Sequence, residues 1–205
     1  MFQMLLCGSA LLNRQASGPV MAPVAHLLLS WLSTIELVEN RRERVLITLS
    51  GIAPDIDGAG VIIDKITGTT NYYFEYHHVV GHNVFAGIFL SVLVYLLSVK
   101  QRSLAAILAF GVVQLHVLCD LIGSKGPDGY NWPICYLYPI SETLKLSWSG
   151  QWQLNAWQNL VIAALAFSAC IFYVHTRGIT VFELCGQKLD AAAVGLYKRL
   201  LANTA

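Results

Sequence analysis

The chain of 205 residues is long enough for one domain with a hydrophobic core, and no shift in composition marks a second. It is 56% hydrophobic and 12% charged, with a mean hydropathy of +0.57, whereas soluble domains carry about 25% charged residues, so we expect a membrane protein. A formal net charge of +1, without a basic stripe, excludes a surface built to neutralise nucleic-acid phosphates, and no nucleic-acid partner is expected.

The N-terminal residues 1–20 precede a second methionine, Met21, and lack the basic start of a signal peptide. We expect this stretch to be a non-native or disordered extension, with Met21 as the native start. Residues 21–177 are predicted to form one membrane-embedded domain. Residues 178–205 mix leucines with basic side chains at helical spacing, which predicts an amphipathic helix on the membrane surface.

The apolar runs are too long for strands and lack two-residue alternation, so the predicted fold is all-α, a polytopic helical bundle in the lipid bilayer. The predicted helices span 23–38, 83–99, 103–122 and 156–175, and a shorter apolar segment spans 45–53. The helices at 83–99 and 103–122 form a transmembrane hairpin. Two stretches rich in Gly, Pro, Thr or aromatic side chains, 58–76 and 123–150, are predicted to be mainly loop.

Imidazoles and carboxylates interrupt this apolar sequence in three short motifs. They are Pro54-Asp55-Ile56-Asp57, His77-His78-Val79-Val80-Gly81-His82 and His116-Val117-Leu118-Cys119-Asp120. Such groups are expensive to bury unless a partner or a metal ion satisfies them, so the motifs predict a shared polar site. His116 and Asp120 lie four residues apart on one helix face, which suits shared ligation. Either His77 or His78 can act with His82, because Gly81 permits a bend, and the spacing leaves both open.

Alternating helix directions assign every candidate ligand to the same side of the bundle. The eight residues placed there are His26, Asp55, Asp57, His77, His78, His82, His116 and Asp120. Basic residues fall at the opposite helix ends, namely Arg41, Arg42, Arg44, Lys100, Arg102 and Arg177. Because positive loops prefer the cytoplasm, we expect the site to face outward. The short segment 45–53 spans a bilayer only as part of a re-entrant or tilted pair with the first helix.

The types of candidate ligand indicate a divalent metal site. Imidazole and carboxylate without thiolate favour zinc, with manganese or iron as alternatives, and the five cysteines are scattered without a CxxC pair. The set exceeds the ligands of one zinc, so we expect about one to three ions. Such ions activate water and neutralise charge on a phosphoryl oxygen, while Asp55 or Asp57 acts as a catalytic general base.

Simpler interpretations stand beside this one. His116 and Asp120 are alternatively a buried hydrogen-bonded pair, and the motif at 54–57 is alternatively a helix stop with Asp57 as the next N-cap. His175 has no acidic neighbour and is interpreted as a core histidine outside the site. The tyrosines at 72, 73 and 76 are interpreted as interface anchors. The alternative functions are a structural metal site, a divalent-ion transport component, or a scaffold without metal.

Taken in order, His26, the three motifs and the stretch 126–141 resemble the bacterial membrane-bound metal-dependent hydrolase family. That family is grouped with the zinc-dependent phospholipase C and single-strand nuclease superfamily, and the resemblance covers residues 21–145. It implies a multi-pass protein of the bacterial inner membrane with a phospholipase C/nuclease-like helical core. It further implies that residues 21–177 are a metal-hydrolase-like domain acting on a small-molecule or lipid-like phosphoester.

The resemblance also carries over individual residues. The family's ligand positions match His26, Asp55, Asp57, His77, His82, His116 and Asp120. Within the paired-histidine motif, this chain has His78 and Gly81 where the family often has Arg and Thr. Both His77 and His78 therefore stay candidates.

Overall fold

The computed structural model describes residues 21–126 and 129–204, so the prediction for residues 1–20 lies outside the described part of the chain. The helices are α1 (Met21–Leu32), α2 (Arg41–Ile52), α3 (Gly60–Thr67), α4 (Tyr72–Tyr76), α5 (Val84–Leu97), α6 (Arg102–Gly123), α7 (Trp157–Arg177) and α8 (Gln187–Thr204). Two 3₁₀ segments, Ala53–Ala59 and Val181–Cys185, precede α3 and α8. The predicted all-α membrane bundle is confirmed.

Within residues 21–126 and 129–204, three helical segments are long and apolar enough to cross a membrane. They are Arg41–Thr67, Arg102–Gly123 and Trp157–Arg177, of 27, 22 and 21 residues. The predicted hairpin partner α5 packs along α6 but has only 14 residues. At about 1.5 Å per residue it extends about 21 Å, less than the roughly 30 Å of a hydrocarbon layer. The number of complete crossings therefore stays a prediction.

The segment predicted at 45–53 belongs to a longer helical run. α2 begins at Arg41, where the Asn40 side chain accepts a hydrogen bond from the Arg42 N–H, and the run continues through the 3₁₀ segment to Thr67. Because proline disfavours helix at the residue before it, the sequence predicts extended backbone through Asp55 and Asp57, and this prediction is wrong. Pro54 lies in the first positions of the 3₁₀ segment, where its missing N–H is not needed, so the chain stays helical through the proline. Part of the predicted loop 58–76 accordingly forms α3 and α4.

Two buried apolar clusters hold the bundle together. One joins α2, α5 and α6 and contains Ile47, Val94 and Ala109; the other joins α1 and α7 and contains Trp31 and Ala166. Small side chains at such contacts allow helix backbones to approach closely, which favours association inside a bilayer. The first helix ends at Leu32, earlier than predicted, and the chain turns before reaching α2.

Buried charged side chains form contacts between the helix ends that lie opposite the polar motifs. Glu43 is fully buried and accepts hydrogen bonds from the backbone N–H groups of residues 99–101, at 2.6 to 3.3 Å. Arg44 donates to both carboxylate oxygens of Glu183, at 2.9 and 2.6 Å, and the Trp31 indole donates to the same carboxylate at 2.8 Å. The segment preceding α8 is thereby fastened to α1 and α2.

The loop 124–156 contains the described strands, β1 (Ile134–Cys135) and β2 (Lys145–Leu146), which pair antiparallel. Sequence reasoning missed them because two-residue strands have no visible alternation. The Cys135 N–H donates to the His78 carbonyl at 3.2 Å, and the Val84 N–H donates to the Tyr136 carbonyl at 3.1 Å. These bonds hold the loop against the histidine-rich segment 77–83.

Candidate metal centre

The structure brings all eight predicted site residues to one end of the bundle. We call them the His/Asp cluster: His26, Asp55, Asp57, His77, His78, His82, His116 and Asp120. α1 supplies the first histidine, the 3₁₀ segment supplies two aspartates, the irregular segment 77–83 supplies three histidines, and the last turns of α6 supply the remaining pair. Asp120 lies at the centre, with one carboxylate oxygen 3.3 Å from His26 and the other 3.1 Å from both His82 and His116.

Three atoms of the cluster form a nearly equilateral triangle. The Nε2 atoms of His82 and His116 are 3.1 Å apart, and each lies 3.1 Å from Oδ2 of Asp120. In a tetrahedral zinc site with Zn–N distances of about 2.0–2.1 Å, two ligand atoms lie about 3.3 Å apart, close to this spacing. The triangle therefore has the dimensions of one face of a metal coordination shell.

Hydrogen bonds at the other ring nitrogens leave these Nε2 atoms with free lone pairs. Nδ1 of His116 is 2.7 Å from the Gly51 carbonyl oxygen, and Nδ1 of His82 is 3.0 Å from Asp57. Carbonyl and carboxylate oxygens only accept, so each Nδ1 carries the proton. In these neutral tautomers three electron-rich atoms converge, and a positive charge, carried either by a proton on Nε2 or by a metal ion, stabilises them. An acceptor behind each imidazole is also the usual support of a metal-ligating histidine.

Asp57 holds the histidine segment in position. Its Oδ1 accepts from Nδ1 of His77 at 2.7 Å, and its Oδ2 accepts from Nδ1 of His82 at 3.0 Å and from the Gly81 N–H at 2.9 Å. These contacts place Asp57 behind the candidate ligands, where it orients the imidazoles of His77 and His82. The alternative in which Asp57 caps the next helix is wrong, because the N-cap of α3 is Ala59.

Asp55 faces the triangle from its more open side. Its side chain is 22% exposed, and Oδ1 lies 3.5 Å from Nε2 of His116 and 4.0 Å from Nε2 of His82. These distances allow a fourth ligand or a base acting on nearby water. His26 closes the opposite side, where its ring stacks on the His116 ring with centroids 3.8 Å apart.

His78 is buried in a conformation that few side chains adopt. Its φ of 67° lies in the left-handed region, and burial lowers its pKa well below 6.5, so the imidazole is neutral. Nε2 lies 3.8 Å from Oδ2 of Asp120. The left-handed residue of this segment is His78, and the chain also bends at Gly81, where the sequence allowed a bend. A left-handed residue other than glycine is typical of functional sites. Both His77 and His78 lie within reach of a second ion site shared with His82.

Some buried polar atoms of this cluster lack a hydrogen-bond partner. Among the described residues they are Oδ2 of Asp55, Nδ1 of His78 and Oδ2 of Asp120. Burying such groups without partners is unfavourable, and a bound cation would satisfy them. Burial opposes protonation of His82, yet Asp120 and Asp57 outweigh it and raise the pKa of His82 to about 9. The negative charge of the carboxylates therefore favours a positively charged group within the cluster.

Gly81 allows the histidine segment to lie against the 3₁₀ segment. A Cβ atom at this position would lie 2.4 Å from the Pro54 carbonyl oxygen and 2.8 Å from its Cα. We expect Gly81→Ala to lower the free energy of unfolding by about 1–3 kcal/mol, because backbone atoms must move apart. Gly111→Ala is the control, since nothing lies within 4 Å of its Cβ. Denaturant titration in detergent measures both, and equal stability of the two variants would contradict the packing argument.

Aromatic residues that the motifs did not include form one wall of the cluster. Tyr73 stacks on His77 with centroids 4.7 Å apart, and Trp132 lies 5.2 and 5.1 Å from the rings of His77 and His78. The sequence placed both in aromatic-rich loops, but nothing in it paired them with the histidines. Tyr72 and Tyr76 are exposed, and their role as interface anchors stays a prediction.

His175 lies outside the cluster, at the far end of α7. It is exposed rather than a buried core residue, so that part of its interpretation is wrong. Its ring nitrogen is 3.4 Å from the Tyr197 hydroxyl of α8. The sixth histidine of the chain therefore offers a natural control for the other five.

Comparison with known proteins gives one family. The family model described as YdjM inner membrane protein matches residues 20–186. No curated protein and no solved structure matches the chain. The family description names a membrane and no reaction, so kinship with hydrolases and nucleases stays a prediction.

Proposed function

Because the chain belongs to the YdjM inner membrane protein family, we propose that it is a multi-pass, metal-dependent hydrolase of phosphoesters whose His/Asp cluster opens at the outer face. The observation that carries this proposal is the triangle of His82, His116 and Asp120. Three ligand atoms at coordination spacing, with a partly exposed carboxylate beside them, match the three-ligand pattern of catalytic zinc sites.

Each residue then has a definable role. His82, His116 and Asp120 would hold the ion, with zinc favoured and manganese or iron as alternatives. Asp57 and the Gly51 carbonyl orient the imidazoles from behind. When bound, the ion would supply Lewis acidity and lower the pKa of water. Asp55, which reaches solvent, accepts the proton of the attacking water as general base.

The outward orientation rests on charge at the other helix ends. Arg41, Arg42 and Arg44 open α2, and Lys100 and Arg102 flank the turn between α5 and α6, whereas the cluster lies at the other ends of these helices. Loops rich in Lys and Arg stay in the cytoplasm.

The main alternative is a non-catalytic site, either structural or part of a divalent-ion pathway. A structural zinc site is closed by four protein ligands, whereas a catalytic one keeps a position for water. Asp55 together with His82, His116 and Asp120 could close the site as four ligands. We infer the open form, because the Asp55 side chain is 22% exposed and its Oδ1 lies 3.5 and 4.0 Å from the two Nε2 atoms, beyond the spacing of about 3.3 Å between ligands of one tetrahedral zinc. The exchange and activity of bound metal separate these alternatives.

The proposal is tested on protein purified in detergent after zinc-replete growth. Elemental analysis should find zinc in the wild type and in His175→Ala, and a panel of phosphate monoesters and diesters should include a hydrolysed substrate. Asp55→Asn should keep most of the metal and lose hydrolysis by about 10²–10⁴-fold, as expected for a general base. Metal without hydrolysis of any phosphoester would favour a structural or transport site, and absence of metal would overturn the proposal.

A further inference from the structure

A cavity of about 50 Å³ lies between α1, α6 and α7 and reaches the His/Asp cluster. His26, Asp120 and Asn159 are the polar residues of its lining. The rest is largely apolar and includes Leu29, Ile122 and Ala163. The cavity therefore connects the His/Asp cluster to an apolar crevice between the three helices.

We propose that this crevice holds the apolar chain of a membrane lipid whose phosphoester reaches the His/Asp cluster. The inference rests on the proposed function and specifies its substrate class. A water-soluble phosphoester would leave the apolar lining of the crevice unused. A lipid matches both parts, since its charged phosphate faces the cluster and its chain faces the hydrocarbon side chains.

The size of the cavity indicates which part of the lipid it takes. One water molecule needs about 10–15 Å³ of cavity volume. A cavity of about 50 Å³ therefore has room for about three to five groups of that size. That is enough for the first carbons next to the phosphoester. The remaining chain stays in the bilayer, because α6 and α7 are both long and apolar enough to cross it.

Exposed apolar side chains near the cluster supply an independent reason to place it against lipid. Large apolar residues on the segments that carry or cover the cluster point outward, at Ile56, Ile62, Ile63, Ile66, Val80 and Ile140. Ile56 and Val80 belong to the same motifs as the aspartates and histidines, and they are 72% and 51% exposed. Several large apolar side chains exposed around one site are typical of contact with a membrane. A lipid substrate therefore need not leave the bilayer to reach the site.

Photo-cross-linking tests the crevice without relying on activity. The full chain is reconstituted in vesicles of phosphatidylethanolamine and phosphatidylglycerol that contain a phosphatidic acid with a diazirine on the chain close to the headgroup. Mass spectrometry should find cross-links on peptides that contain Leu29 or Ile122. Ala163→Trp, which fills the crevice, should lose these cross-links. Ala164→Trp, exposed one residue further along α7, should keep them.

Two further measurements keep the outcomes distinct. Ala25→Leu, another substitution in the cavity lining, replaces Ala163→Trp if the tryptophan variant fails to fold. With an active enzyme, Ala163→Trp should lose hydrolysis of the long-chain phosphoester and keep that of a short-chain one. Cross-links that persist in folded crevice-filling variants would overturn the lipid inference. Wild-type protein that hydrolyses no phosphoester would overturn the proposed function. The cross-linking result would still show whether the crevice binds a lipid chain.

Discussion

Asp120→Asn is expected to abolish stoichiometric zinc binding while the bundle stays folded. Asp120 is the central carboxylate, with its two oxygens within 3.3 Å of three imidazoles. Asparagine keeps the shape of the side chain but removes the negative charge that offsets the ion, and a neutral amide is a poor zinc ligand. Elemental analysis of the purified variant, after equilibration in buffered zinc, measures the loss.

Asp190→Asn is the matched control, because this carboxylate accepts hydrogen bonds from Thr180 next to α8 and lies outside the cluster. It should retain wild-type zinc. Helical circular dichroism and membrane insertion should be unchanged in both variants. Wild-type zinc content in Asp120→Asn would remove the triangle from any metal site, and equal loss in both variants would point to a general effect on folding.

Glu183→Ala is expected to destabilise the protein by about 3–5 kcal/mol, the loss typical of a broken buried ion pair. The Glu183 side chain is 1% exposed and accepts two of the hydrogen bonds that the Arg44 guanidinium donates, while the others go to backbone carbonyls. The Arg44 side chain is itself only 7% exposed. Truncation leaves that positive charge and the Trp31 N–H buried without their shared acceptor. Guanidinium titration in detergent, followed by tryptophan fluorescence, gives the change in stability.

Glu36→Ala removes the carboxylate of an exposed ion pair and serves as its control. Glu36 contacts Arg177, and both side chains are about half exposed. Exposed pairs contribute about 0–1 kcal/mol, so the loss should stay within that range. Similar losses in the two variants would show that burial does not strengthen the pair with Arg44.

The residues of the site could be predicted because their imidazole and carboxylate side chains are identified directly by residue type. Imidazoles and carboxylates are rare in apolar helices, so their positions stand out, and helix direction assigns each to an end of the bundle. The eight residues chosen in this way are the ones that the structure brings together. Their roles as ligands stay predictions until metal is measured.

The sequence contains no comparable signal for the contacts that support the site residues. The Gly51 carbonyl that orients His116 is a backbone atom, and any residue would supply it. Trp132 meets His77 and His78 only because β1 hydrogen-bonds to the carbonyl of His78. The Arg44–Glu183 pair joins positions 139 residues apart. Such contacts depend on long-range packing, which local spacing does not encode.

Pro54 shows how a local rule can mislead. Proline disfavours helix at the residue before it, which predicted an extended backbone through Asp55 and Asp57. The structure instead tightens the helix into a 3₁₀ segment, and the aspartates project from it towards two different parts of the cluster. Asp57 therefore lies behind the histidines, and Asp55 lies beside the open face of the cluster.

By itself, the sequence determined the class of protein, the all-α fold and the identity of the polar residues, because hydropathy and residue chemistry are local properties. Tertiary structure decided which nitrogen each imidazole presents, which aspartate orients and which faces the opening, and where an apolar crevice meets the cluster. Those features depend on distances of about 3 Å between segments far apart in the chain, the range over which hydrogen bonds and metal bonds act.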